Sequence, residues 1–248
     1  MNQESESANT KKNPRLQLSG MVALAILIII FSIAGVGCRP PGATQAPPYP
    51  PSGTPTIDDP LTHNNSHEWE EKQLTKGGRC LFSSNTYLAT ESVLPNKRYH
   101  YHACAAKKTN YSNFTFGVEM TFKTYGDNDA NAIGGLIFRA NSKAVQFYGF
   151  SISPQGNYQL FVSFGPDTNT PDQDLAHGSA QSFITGPNQH NTIGAIVKGN
   201  EIWLYINNQY VAHVQDEHRT SGQVGVLVGG TNHVTEVVYT KAKVWQIA

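Results

Sequence analysis

Residues able to grip a polyhydroxylated ligand occur in two stretches of the chain. In EIWLYIN (201–207), strand alternation puts Ile202, Leu204 and Ile206 on one face and Trp203, Tyr205 and Asn207 on the other. Two rings and an amide on one face could stack on sugar rings and bond their hydroxyls, unless a loop or the C-terminal strand covers that face. The second stretch, GGLIFRA, carries consecutive glycines, Gly134 and Gly135, which weaken a strand unless something must approach closely. With Ala140 opposite Ala144 across the ANSKA turn, Gly135 faces Gly149 and Gly134 faces Phe150. That register leaves a notch with Arg139 and Tyr148 at its entrance. The alternative for Arg139 is a packing role against a buried carboxylate or carbonyl.

Signals for catalysis and metal binding are sparse. Glycoside hydrolysis normally uses two carboxyl groups about 5 to 10 Å apart. GVEMTFK supplies Glu119 alone, flanked on its face by Thr121 and Lys123, which reads as an exposed strand position. In DNDAN, Asp127 and Asp129 have the alternating oxygens of a calcium loop, but the turn glycine and the closing glutamate of an EF-hand are missing. His100 and His102 share a strand face in YHYH without a third zinc ligand in view. Asp167, Asp172 and Asp174 in PDTNTPDQD read as a solvated loop.

The segments that must position these residues begin after a membrane address. Lys11, Lys12 and Arg15 precede an uncharged run, residues 16–38, that ends in GVGC. A secretory signal has an apolar centre of about 7 to 15 residues and a bilayer span needs roughly 20, so length favours a retained anchor. Cys38 favours a lipoprotein signal, with Gly35 where a lipobox usually has leucine; both readings stay open. In either, residues 1–15 stay in the cytoplasm and the rest is extracytoplasmic. Between Arg39 and Pro60 lie 8 of the chain's 14 prolines, so residues 39–57 read as a stiff spacer.

Residues 58–248 show short alternating segments separated by turns and no helical period, which predicts about a dozen strands in an all-β, two-sheet antiparallel jelly-roll sandwich. FTFGVEMTFK is the strongest, with Phe114, Phe116, Val118, Met120 and Phe122 on one face. An oxidising compartment pairs Cys80 with Cys104 as a disulfide. Charge is balanced at 18 basic and 18 acidic residues, which gives no electrostatic footprint for nucleic acid.

The ordered set of Trp69, CLFSSNTY, NFTFGVEMTF, GGLIFRA, FYGFSISPQGNYQLFV, GNEIWLYINNQYVAHVQD, GQVGVLVGG and AKVWQI resembles the concanavalin A-like lectin/glucanase superfamily. Within it the chain is similar to laminin-G-like and DUF1080-type (3-keto-disaccharide hydrolase) domains. The resemblance implies a curved sandwich whose concave face often binds glycans or peptides, and rim aspartates such as Asp127 and Asp129 as calcium ligands. The ExDxxE motif of the superfamily's glucanases is absent. The expected function is a membrane-tethered, extracytoplasmic, non-catalytic domain that binds carbohydrate, with Arg139, Tyr148, Trp203, Tyr205 and Asn207 as ligand residues. The alternatives are a glycan-modifying enzyme of the 3-keto-disaccharide type and a protein-interaction or sensory ectodomain.

Overall fold

A computed structural model describes residues 45–73, 78–93, 100–126, 131–166, 168 and 170–247. The anchor at residues 16–38, Cys38 and the calcium candidates Asp127 and Asp129 lie outside the described residues.

Fifteen strands, and no helix, occur among the described residues. Nine of them, β1 (Ile57–Asp59), β2 (Lys72–Gln73), β3 (Arg79–Ser83), β4 (Thr86–Glu91), β6 (Phe114–Thr124), β11 (His190–Lys198), β12 (Glu201–Ile206), β13 (Gln209–Gln215) and β15 (Thr235–Gln246), form one antiparallel sheet. Its order is β13-β12-β11-β6-β15-β4-β3-β2, with β1 also on β15. The other six, β5 (His100–Ala105), β7 (Ile133–Ala140), β8 (Phe147–Ile152), β9 (Asn157–Ser163), β10 (Gln173–Ser179) and β14 (Gln223–Gly230), form the second in the order β10-β9-β8-β7-β14-β5. The two sheets make the expected jelly-roll sandwich.

Alternation drives the packing of the two layers. Phe114, Phe116, Val118, Met120 and Phe122 of β6 all enter the main core, where they meet Leu136, Phe138 and Phe150 from the six-stranded sheet and Val237 and Tyr239 from β15. Cys80 on β3 and Cys104 on β5 form a disulfide that ties one sheet to the other through this core. It closes a loop of sequence separation 24, which in the chain-entropy model stabilises the fold by about 3 kcal/mol.

Both sheets also carry apolar residues on the faces turned away from this core. On the six-stranded sheet Ala103, Ile133, Ile137, Phe147, Phe161 and Leu227 form a second cluster, with Tyr101 packed against it. On the nine-stranded sheet Ile196, Trp203 and Tyr205 form a third, joined by Ala46, Tyr49 and Ile247. Part of the proline-rich stretch, at Ala46 and Tyr49, is therefore packed against the sandwich ahead of residue 58. Proline density indicates a chain that forms no strand. It carries no information on whether a tyrosine within it finds a slot.

The β7–β8 hairpin differs from expectation by two residues. Gly135 faces Ser151, Gly134 faces Ile152, and Gly149 faces Ile137. The loop between the strands is wider than the ANSKA turn requires. Asn141 N–H donates to Gln146 O at 2.9 Å, and the Asn141 side-chain oxygen accepts the Val145 N–H at 3.0 Å. A shift of two keeps every side chain on its face and changes only its partner.

Candidate functional site

The outer cluster of the six-stranded sheet opens into a cleft of about 480 Å³ beside β5. Its walls include the His100–Ala103 segment, Ala144, Phe147, Ser163, Thr168, Thr170, Asp172, Lys72 and Lys143. Tyr101 is the half-buried ring among them. It sits edge-on to Phe147 with centroids 5.8 Å apart and tilted against Phe161 at 5.6 Å, so neighbouring strands fix its plane. Its hydroxyl donates to Asp172 Oδ2 at 2.6 Å and lies 2.9 Å from Ser163 Oγ. Burial, then the hydrogen bond to Asp172, raises the phenol well above its ordinary pKa, so the hydroxyl keeps its proton and remains a donor to Asp172.

Charges around the cleft are unequally committed. Lys72 Nζ is held 2.9 Å from Glu70 Oε2 and donates to Ala103 O at 3.0 Å. Lys143, which also lines the cleft, is exposed. Asp172 is exposed and uses one oxygen on Tyr101. The arrangement offers an apolar floor, a fixed aromatic edge and rim groups that donate and accept hydrogen bonds, the usual composition of a small-molecule site. Size alone does not single out this cleft. A larger hollow of about 560 Å³ is lined by Asn200, Gln215, Asp216, Glu217 and His218, with no aliphatic or phenolic residue among them.

The residues expected to hold ligand are placed elsewhere, and each has an internal partner. Arg139 does not line an entrance. It sits at a bulge in the β7–β14 ladder with φ of +48°, and is 1% exposed. Its guanidinium donates to Ser112 O at 2.6 Å, Gly199 O at 2.7 Å and Arg219 O at 2.7 Å, which ties three loops to one strand. Burial lowers its pKa, yet a guanidinium keeps its proton in proteins. Positive φ is unfavourable for a residue with a Cβ, and these bonds hold the bulge in place.

Tyr148 stacks on Phe138 inside the main core, with centroids 5.4 Å apart, and donates its hydroxyl to Asp216 Oδ1. It also accepts the Arg219 N–H at 3.1 Å. Arg139 and Tyr148 are thus joined through the backbone of Arg219, in a part-buried polar network.

Trp203 and Tyr205 lie on the outer face of the nine-stranded sheet, as alternation predicts, but are covered at 5% and 2% exposure. Trp203 stacks on His213 with centroids 4.9 Å apart. Tyr205 stacks on Tyr49 at 4.8 Å and donates to Pro47 O at 2.5 Å. Asn207 and Asn208 both have positive φ and form the two-residue turn joining β12 to β13, for which asparagine is well suited. The Asn207 amide donates to Ser182 O at 2.6 Å and its oxygen accepts the Thr192 N–H at 2.8 Å, so it is a turn residue rather than a ligand contact.

Tyr101 and Asp172 carry no chemical motif in the sequence. In YHYH the two histidines stand out as metal-ligand types, whereas the residue that faces the cleft ring cluster is the tyrosine between them, which alternation puts on the opposite face. His102 turns to Glu91, with Nε2 and Oε2 3.0 Å apart. Glu119 pairs with Lys241 at 2.8 Å on the outer face of the nine-stranded sheet. No group of three or more histidine, cysteine or acidic side chains suited to a metal occurs among the described residues.

No protein-family model matches the chain. No curated protein matches it. Solved structures do. The carbohydrate-binding module CBM66 from Bacillus subtilis aligns with a TM-score of 0.51 and 14% identity over 73% of this chain and 93% of its own. A Bacillus subtilis protein of unknown function with a galectin-like fold aligns at 0.57 and 12% over 78% and 96%. The Bacillus licheniformis β-glucanase aligns at 0.55 and 9% over 79% and 100%. At these identities the likeness is one of fold: the chain shares the jelly-roll sandwich found in a carbohydrate-binding module, a galectin-like protein and a glucanase.

Proposed function

We propose that the chain is an extracytoplasmic carbohydrate-binding domain, tethered to the cell membrane through residues 16–38, whose ligand lies in the cleft beside β5. The observation that carries this reading is Tyr101, a half-buried ring fixed by Phe147, Phe161, Ser163 and Asp172 at the edge of an apolar-floored cleft. A sugar ring presents C–H groups to the face of such a ring, and its hydroxyls reach the Asp172 carboxylate, the Thr168 and Thr170 hydroxyls and the Lys143 ammonium. The carbohydrate-binding module and the glucanase among the structural neighbours support the ligand class. The disulfide between Cys80 and Cys104 supports an oxidising compartment.

Binding fits the cleft better than hydrolysis. Asp172 is the one carboxylate among the described residues that line it, whereas a glycosidase normally needs a pair. The experiment is a glycan array probed with the purified protein and with Asp172→Asn. Retention of a glycan by the protein and loss by the variant supports the reading. Turnover of 3-keto-glucosides would replace it with the enzymatic alternative, and a sugar-independent protein partner with the interaction-domain alternative.

A further inference from the structure

The outer face of the nine-stranded sheet carries a glycine-floored slot, separate from the cleft beside β5. Gly117 on β6 and Gly194 on β11 are direct cross-strand partners, so two side chains are missing side by side. The gap is filled by Tyr49. A Cβ on Gly117 would fall 1.9 Å from the Tyr49 hydroxyl, and the three atoms nearest a Cβ on Gly194, at 2.2 to 2.5 Å, all belong to that same ring. Tyr205 stacks on the ring and hydrogen-bonds Pro47 O. Farther along, Trp245 Nε1 donates to Gly53 O at 3.0 Å. Each contact reads a feature of the segment QAPPYPPSG: a ring, a carbonyl beside proline, and a carbonyl at a glycine.

This segment is held as a ligand is held. Residues 45–55 belong to no strand, and their first ladder-like bond is from Thr56 N to Val244 O at 2.7 Å. They can leave without breaking a strand pair. Their departure would bare Ile196, Trp203, Tyr205 and Ile247, and widen the adjoining cleft of about 300 Å³ edged by Thr192, Asn208, Lys243 and Trp245. The site's chemistry specifies a tyrosine flanked by prolines, and the chain supplies one beside it.

We propose that this face is a binding site for a tyrosine–proline peptide, and that residues 45–53 of the chain are its displaceable occupant. A tethered ligand acts at an effective concentration of the order of millimolar, so the intact protein excludes the same peptide offered in solution.

The test is titration of a labelled synthetic peptide of residues 45–54 into the full chain and its variants, followed by fluorescence anisotropy. Tyr49→Ala, which weakens the internal competitor, is expected to bind the peptide at least about tenfold more tightly than the unmodified chain. Ala46→Asp, which alters only the tethered occupant where it packs against Ile196, Trp203 and Tyr205, gives an intermediate gain and keeps the test valid if Tyr49→Ala does not fold. Adding Gly194→Ala to Tyr49→Ala abolishes binding, because the new methyl group fits the folded sheet and fills the slot. Equal binding by the unmodified chain and the variants, no binding by either variant, or indifference to Gly194→Ala would overturn the proposal.

Discussion

The hydroxyl of Tyr239, on β15 of the nine-stranded sheet, accepts the amide N–H of Gly135, on β7 of the other sheet, at 2.8 Å. It donates in turn to Leu227 O at 2.5 Å, and Leu227 is the cross-strand partner of Gly135. The phenol is therefore inserted into the β7–β14 ladder from the core side, and the glycines are where the sheet lets it in. Gly134 faces the same intruder, since a Cβ there would lie 2.6 Å from Met120 Cε and 3.1 Å from the Tyr239 hydroxyl.

Tyr239→Phe leaves a buried N–H and a buried carbonyl without this partner, a loss of about 1 to 3 kcal/mol. Thermal unfolding is expected to show a fall in Tm of several degrees with the secondary structure unchanged. Gly135→Ala should be worse than Gly134→Ala. Its Cβ would meet Phe150 O, a backbone atom, at 2.1 Å, whereas that of Gly134 meets the flexible end of a methionine. Equal stability of the two alanine variants would show that the space at Gly135 is not what the sheet requires.

Arg139→Lys tests the three-carbonyl clamp. An ammonium cannot span Ser112 O, Gly199 O and Arg219 O in the planar geometry of a guanidinium. The expected loss is at least about 2 kcal/mol in denaturant unfolding. Glycan affinity of the folded protein stays unchanged, because the clamp is separate from the Tyr101 cleft. A variant with full stability and lost binding would restore Arg139 to the ligand site.

The Asp216 carboxyl gives a pH signature. Burial alone would raise its pKa, but hydrogen bonds from the Tyr148 hydroxyl and from the backbone and ring of His218 outweigh that and hold it below the usual value. A depressed carboxylate stabilises the fold above its unfolded pKa, near 4, and loses that contribution as pH falls through the folded value. Asp216→Asn is therefore expected to be less stable than the unmodified protein at pH 6, with the difference narrowing below pH 4. Urea midpoints across that range are the measurement, and a gap that widens on acidification contradicts the assignment.

Reduction of the Cys80–Cys104 disulfide removes a constraint of about 3 kcal/mol on the unfolded chain. Dithiothreitol should lower the unfolding free energy by that amount and shift the denaturant midpoint down accordingly, and Cys80→Ala with Cys104→Ala should match the reduced protein. An unchanged midpoint would indicate that the bridge contributes nothing beyond packing.

Much of the scaffold was legible in the sequence, because period-two alternation determines which residues of a strand point inward. β6 and β12 read correctly on both faces, and the two cysteines were paired. The candidate site was not legible, for an identifiable reason. Alternation places Trp203 and Tyr205 on an outer face but does not tell whether that face is open, and the cover comes from Tyr49, more than 150 residues earlier. Arg139 escaped because a bulge at positive φ redirects its side chain. The Gly134 and Gly135 question had the right form, a close approach, but the visitor was the protein's own tyrosine. Tyr101 and Asp172 were hidden because their juxtaposition joins β5 to a loop 71 residues away.

The cleft beside β5 is expected to hold a glycan against Tyr101. The most direct measurement is calorimetric titration of the best array-selected oligosaccharide into the unmodified protein, Tyr101→Ala and Asp172→Asn, each first shown to be folded. Loss of the stacking ring should weaken binding roughly tenfold or more, with a comparable loss for the rim carboxylate. A saturable glycan whose affinity is the same in all three proteins would contradict the account.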